Sequence, residues 1–82
     1  MYIFPERLKY LRVENGLTQK QLANAVGAGE RGLQDYELRK CKPGHDAIIK
    51  LCQHFNISAD YLLGLSDDPR PLYPGEPSPG GQ

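Results

Sequence analysis

Between Leu17 and Glu37 the chain sets two short helical patterns on either side of a glycine, and this spacing constrains the fold more than any other stretch. Thr18 is a good N-cap, its hydroxyl able to accept from backbone N–H groups of the first turn. Leu22, Ala23 and Val26 then recur at three and four residues to give an inward stripe. Gly27 follows the last turn, where glycine takes a left-handed conformation at little steric cost, and Ala23 is small enough to let a neighbouring helix approach closely. A second helix starts near Gly29. Steps of 100° per residue put Leu33, Tyr36 and Glu37 on one of its faces, and Arg31, Gln34 and Asp35 on the other. Two short helices joined in this way read as a helix-turn-helix, whose second helix can enter the major groove of DNA.

The flanking sequence supplies further helices. One starts at Pro5, acceptable at a first helical position because its missing N–H would be unpaired anyway, and ends at Asn15-Gly16 with Leu8 and Leu11 inward. Another begins after Pro43 with Gly44 as a weak N-cap and Asp46 favouring the positive end of the helix dipole, and runs to Phe55. Ile48, Ile49, Leu51, Cys52 and Phe55 make its apolar stripe. Ser58 caps a short last helix over Asp60 to Leu63, stopped by Gly64. The expectation is an all-α domain over 1–66. From Asp67 onward five of sixteen residues are proline and three are glycine, so 67–82 reads as a Pro/Gly-rich flexible or extended tail that buries too little apolar surface to offset ordering entropy. Within it only Leu72 and Tyr73 break the polarity.

Eighty-two residues allow one domain, and a domain this small buries only about 60% of the surface its unfolded chain exposes, so a homodimer would add needed stability. Residues 1–66 hold nine Lys/Arg against seven Asp/Glu, and 67–82 hold one Arg against three acids. That near-neutral balance weighs against nucleic-acid binding, whose usual footprint is strongly basic. No apolar run approaches the roughly 18 residues of a membrane helix and no secretion signal opens the chain, which reads as cytoplasmic. Cys41, His45, Cys52 and His54 fit none of the common zinc spacings, and Cys52 lies on an apolar helical stripe, so no metal or other cofactor is expected. No Ser/His/Asp set, paired carboxylates or phosphate loop suggests an enzyme, and no separate small-molecule ligand domain is present.

The run Leu17-Thr18-Gln19-Lys20-Gln21-Leu22-Ala23, then Val26-Gly27, Tyr36-Glu37 and Pro43, with Ile57 to Gly64 further on, resembles the XRE or lambda-repressor-like helix-turn-helix family over roughly residues 5–66. The resemblance implies a five-helix domain that binds double-stranded operator DNA as a homodimer. It places Gln19 at the start of the second helix, against a phosphate or base. It also implies a partly buried ion pair between Arg12 and Glu37, and a connecting loop after the third helix that runs beside the DNA backbone.

Candidate contacts divide into two groups. Base readers lie on the outer face of the third helix: Arg31, able to give two hydrogen bonds to guanine; Gln34, suited to adenine; Glu30, suited to cytosine N4; and Asp35. Two of these have structural alternatives, since Arg31 can pair with Asp35 and Glu30 can stabilise the helix N-terminus without DNA. Phosphate candidates are Thr18, Gln19 and Lys20 at the start of the second helix, with Arg39, Lys40 and Lys42 after the third. These residues point to a sequence-specific transcriptional regulator of repressor type. The alternative is a protein-interaction module on the same fold, an antitoxin-like or antirepressor partner, favoured by the acids Glu30 and Asp35.

Overall fold

The computed structural model describes residues 2–70 as five helices: α1 (Phe4–Glu14), α2 (Gln19–Ala25), α3 (Glu30–Glu37), α4 (His45–Phe55) and α5 (Ala59–Leu63). No strand occurs among the described residues. The expectation for the tail beyond Arg70, with Leu72 and Tyr73, lies outside them.

Local chemistry accounts for the helix ends. Thr18 closes a reciprocal capping box with Gln21, each side chain bonding the other's backbone N–H and so satisfying two donors that a helix start leaves unpaired. Ser58 caps α5 by accepting from the Tyr61 N–H at 3.1 Å. Gly27, at φ +70°, ends α2 with the Ala28 N–H returning to the Ala23 carbonyl at 2.8 Å, the bond pattern of a left-handed helix stop. Gly29 and Gly44 stand at the starts of α3 and α4 without a side-chain cap.

The core is one apolar cluster drawn from all five helices and the α4–α5 turn: Phe4, Leu8 and Leu11 from α1, Leu22 and Ala23 from α2 with Val26 at its end, Leu33 from α3, Leu51 from α4, Ile57 from the turn and Leu62 from α5. α3 packs on α1 and α2, and α5 packs on α1 and α4. Edge-to-face contact between Phe4 and Tyr36, centroids 5.9 Å apart, joins the first turn of α1 to the last turns of α3. Arg7 ties α1 to α5, its guanidinium 4.0 Å from the Tyr61 ring centroid and donating to the Tyr61 carbonyl at 2.8 Å.

Two details correct the sequence reading. Phe4, one residue before the expected start of α1, is fully buried and opens the inward stripe. Ile49 does not join the stripe of α4: it is 49% exposed, while Ile48, Cys52 and Phe55 pack against the core. Steps of about 100° per residue set Ile49 at the edge of the stripe made by Ile48, Leu51, Cys52 and Phe55, so the buried face of α4 is narrower than the run of apolar residues suggested. Burial pushes the Cys52 thiol above its ordinary pKa, in keeping with its apolar surroundings.

Gly64 sits at φ +86°, and a Cβ there would overlap the Ile3 side chain. Gly64→Ala is therefore expected to lower stability by about 2 kcal/mol or more, from left-handed strain plus displacement of Ile3. Urea unfolding monitored by circular dichroism would measure the loss.

Candidate nucleic-acid interface

The orientation of α3 rests on a charged cluster at the junction of three helices. Arg12 Nε donates to Glu37 Oε2 at 2.7 Å and Arg12 Nη2 to Glu37 Oε1 at 3.1 Å. A third donor, Arg12 Nη1, bonds the Leu17 carbonyl at 2.9 Å. Gln19 Nε2 also donates to Glu37 Oε1, at 3.1 Å. Both charged side chains are nearly covered, at 13% and 5% exposure for Arg12 and Glu37. The last residue of α3 is thereby bonded to α1, and through Leu17 and Gln19 to the turn before α2 and the first residue of α2. A bidentate guanidinium–carboxylate pair fixes direction as well as distance. This is how a short α3, with Leu33 alone fully buried on its inner face, is held in one orientation.

With Leu33 and Glu37 turned inward, the opposite face points to solvent. Arg31 leads it with its side chain 82% exposed, and Arg31 Nε lies 3.7 Å from Asp35 Oδ1. That separation is a loose ion pair between neighbouring turns, worth about 0.2–0.5 kcal/mol. Glu30 is exposed in the first turn, and Gln34 is half-buried. Gly32 adds no side chain to this helix, and a Cβ built there would meet nothing within 4 Å. The four residues expected to read bases therefore lie on one helix, with Arg31 the most prominent.

The phosphate candidates sit in different environments. Lys20, Lys40 and Lys42 are exposed. The Thr18 hydroxyl accepts the Gln21 N–H at 3.0 Å and keeps its own proton to donate. Gln19 has one amide hydrogen engaged by Glu37. Arg39 differs most from expectation: its guanidinium bonds Glu6 and the Tyr2 carbonyl, so it faces the start of α1. Chain separation hid these partners, since Glu6 is 33 residues from Arg39 and Tyr2 is 37. No local spacing signals such a contact.

Among the described residues, no three His, Cys, Asp or Glu side chains gather to hold a metal ion, and no helix is long and apolar enough to cross a membrane. Cys41 is exposed and Cys52 half-buried, both as free thiols. An open depression of about 400 Å³ lies between Ala25 and Val26 on one side and Lys50, Gln53 and His54 on the other.

Residues 6–67 match the family model of a helix-turn-helix domain. The chain belongs to that family. Within it the resemblance to XRE and repressor-like domains holds, for the relatives carry names of the same kind. The chain is similar to two HTH-type transcriptional regulators of Bacillus subtilis, YobD (38% identity, 84% of this chain and 62% of YobD) and ImmR (41% identity, 76% of this chain and 49% of ImmR). A more distant relative is the CTXphi transcriptional repressor RstR of Vibrio cholerae, 28% identical over 79% of this chain and 59% of its own length. In three dimensions the chain resembles a transcriptional regulator from Listeria innocua, with a TM-score of 0.73 and 31% identity over 78% of this chain and 60% of that one. The chain thus spans about half to three fifths of the length of these proteins.

Glu37→Gln leaves Arg12 nearly buried without a full counter-charge, so it should destabilise the domain by about 3 kcal/mol. Arg12→Met, which removes the other charge, should also destabilise it. Equilibrium unfolding of the two single variants and the double variant would show a double loss smaller than the sum of the singles.

Proposed function

We propose that this protein is a sequence-specific DNA-binding transcriptional regulator of repressor type, working in the cytoplasm with α3 lying in the major groove. The observation that carries the reading is the orientation of α3: its inner face is locked by Leu33 and by Glu37 on Arg12, which leaves Arg31 projecting into solvent. The major groove is about 12 Å wide and admits a helix with its side chains. The names of the relatives, transcriptional regulators and a repressor, agree with this use of the fold.

Each side chain then has a physical role. Arg31 gives two parallel hydrogen bonds to guanine O6 and N7, and DNA displaces its loose pairing with Asp35. Gln34 bonds adenine, and Glu30 or Asp35 accepts from cytosine N4 while repelling phosphates in wrong registers. Thr18, Gln19 and Lys20 meet one stretch of backbone, and Lys40 and Lys42 meet another, fixing the register of α3 without reading bases. A homodimer on a pseudo-palindrome would place two copies of α3 about 34–36 Å apart, one helical turn of DNA. The domain requires no cofactor for this activity and performs no catalysis.

The acids Glu30, exposed, and Asp35, half-buried, on a chain with no net charge, also suit a protein partner in place of DNA, as in an antitoxin-like or antirepressor module. Selection of bound sites from random DNA by the purified chain separates the two. Enrichment of a two-fold symmetric sequence supports the regulator, and a chain that retards no duplex at low salt supports the protein partner.

On the selected duplex, affinity should fall steeply with salt, each neutralised phosphate adding about 0.9 to the slope of log K against log salt. Arg31→Ala should cost about 1–3 kcal/mol and relax preference at one base pair, whereas Lys40→Ala should weaken all sequences alike. Gly32→Ala should stabilise the free protein by about 0.5–1 kcal/mol through helix propensity, yet weaken binding if the α3 backbone approaches the groove closely. Fluorescence anisotropy and thermal unfolding of the same variants measure both effects.

A further inference from the structure

Three helices end in the same way with glycine in the left-handed position, at Gly16 after α1, Gly27 after α2 and Gly64 after α5; at the end of α3 that position is taken by Arg39, at φ +65°. The stop itself is complete. The Arg39 N–H returns to the Tyr36 carbonyl at 3.2 Å and the Lys40 N–H to the Asp35 carbonyl at 2.8 Å, the paired bonds of a Schellman ending. A side chain in this conformation is strained where glycine is not. What this arginine provides is visible in its contacts. Arg39 Nη1 bonds the Glu6 carboxylate, Arg39 Nη2 bonds the Tyr2 carbonyl at 2.8 Å, and the guanidinium lies 5.7 Å from the Tyr2 ring centroid. Lys42 reaches the same ring, with its ammonium 5.5 Å from the centroid. The Tyr2 ring in turn sits 6.3 Å from Phe4, which is fully buried.

We infer that Arg39 is a positioning residue: bonded to Glu6 and Tyr2 at the start of α1, it fixes the α3–α4 loop so that Lys40 and Lys42 meet the DNA backbone, and it does not itself neutralise a phosphate. The inference rests on the DNA-binding reading for its consequence, though not for the contact itself. The guanidinium fork is directed to Glu6 of α1 and to Tyr2 just before it, leaving Lys40 as the loop's outward charge, with Lys42 exposed but its ammonium beside the Tyr2 ring. The contact is poorly suited to stabilising the fold, because both partners are substantially exposed, at 46% for Arg39 and 66% for Glu6, and exposed ion pairs contribute little. Its value is geometric. It joins the loop to the helix whose Arg12 already anchors α3, so the loop and α3 share one frame.

A direct phosphate contact and a positioning contact give opposite results when Glu6 is removed. If Arg39 served a phosphate, Glu6→Ala would release it and delete a repelling charge, tightening binding, while Arg39→Gly would lower the salt slope by about 0.9. As a positioning pair, Glu6→Ala and Arg39→Gly should each weaken binding to the selected duplex by at least about threefold. The double variant should be no weaker than either single, and the salt slope should stay unchanged. Glycine is the substitution of choice because it retains the left-handed stop and removes strain, so Arg39→Gly should fold at least as stably as the parent. A second readout needs no DNA: hydrogen exchange of the Lys40 amide, bonded to the Asp35 carbonyl, should speed up in Glu6→Ala in the free full chain, with exchange of the α2 amides unchanged. Tighter binding by Glu6→Ala, a lowered salt slope in Arg39→Gly, or Lys40 exchange in Glu6→Ala equal to the parent's would each overturn the assignment. If the parent chain bound no duplex, the regulator reading would fail, and the exchange measurement would still decide whether Arg39 and Glu6 hold the loop.

Discussion

The bidentate pair of Arg12 on Glu37 is the contact on which the arrangement of this domain depends. A helix of eight residues has little inner surface with which to define its own orientation, and in α3 only Leu33 is wholly enclosed. Apolar burial holds such a helix against its neighbours but leaves it able to roll or slide, since hydrophobic contact has no direction. The carboxylate of Glu37 removes that freedom by accepting two bonds from Arg12 and one from Gln19, while Arg12 also holds the Leu17 carbonyl. Desolvating two charges is costly, and the geometry offsets the cost because all three guanidinium nitrogens and both carboxylate oxygens are bonded.

From that anchor the remaining polar contacts fall into a consistent pattern. Side chains bonded within the protein, Arg7 on Tyr61, Arg12 on Glu37 and Arg39 on Glu6 and Tyr2, lie between helices and hold them in register. Of the exposed cations, Lys20, Arg31, Lys40 and Lys42 lie on α2, α3 and the loop after α3, with Lys9 on α1 and Lys50 on α4 placed elsewhere. This division reconciles a neutral chain with a nucleic-acid reading. What steers a protein to DNA is the local distribution of outward charge, and several of the acids here are spent on internal partners or on helix starts.

The sequence announced helix ends more reliably than contacts between distant residues. Thr18, Ser58, Gly27 and Gly64 act through their immediate neighbours, and α2 and α5 begin and end where those residues require. Helical periodicity likewise separated Leu33 from Arg31, because a side chain's direction follows from its place along α3. The partners of Arg39 were out of reach. A basic residue in a loop looks solvated or DNA-bound until the fold brings Glu6 and Tyr2 to it, and nothing between positions 2 and 39 encodes that meeting locally. Ile49 is a different case: the helical step of about 100° already sets it at the edge of the stripe made by Ile48, Leu51, Cys52 and Phe55, and it is half exposed. The Arg12–Glu37 contact was suggested by family resemblance and not by spacing, which again reflects its long range.

An amide chemical-shift map of the isotopically labelled chain, titrated with its selected duplex, examines the orientation of α3 most directly. Perturbations should concentrate on Thr18 to Lys20, Glu30 to Asp35 and Lys40 to Lys42, with the outer residues Tyr10 and Val13 of α1 unmoved. Perturbations centred on α1 or on the Ile49 side of α4, with the amides of Glu30 to Asp35 unchanged at saturation, would refute the claim that α3 is the element held out for DNA.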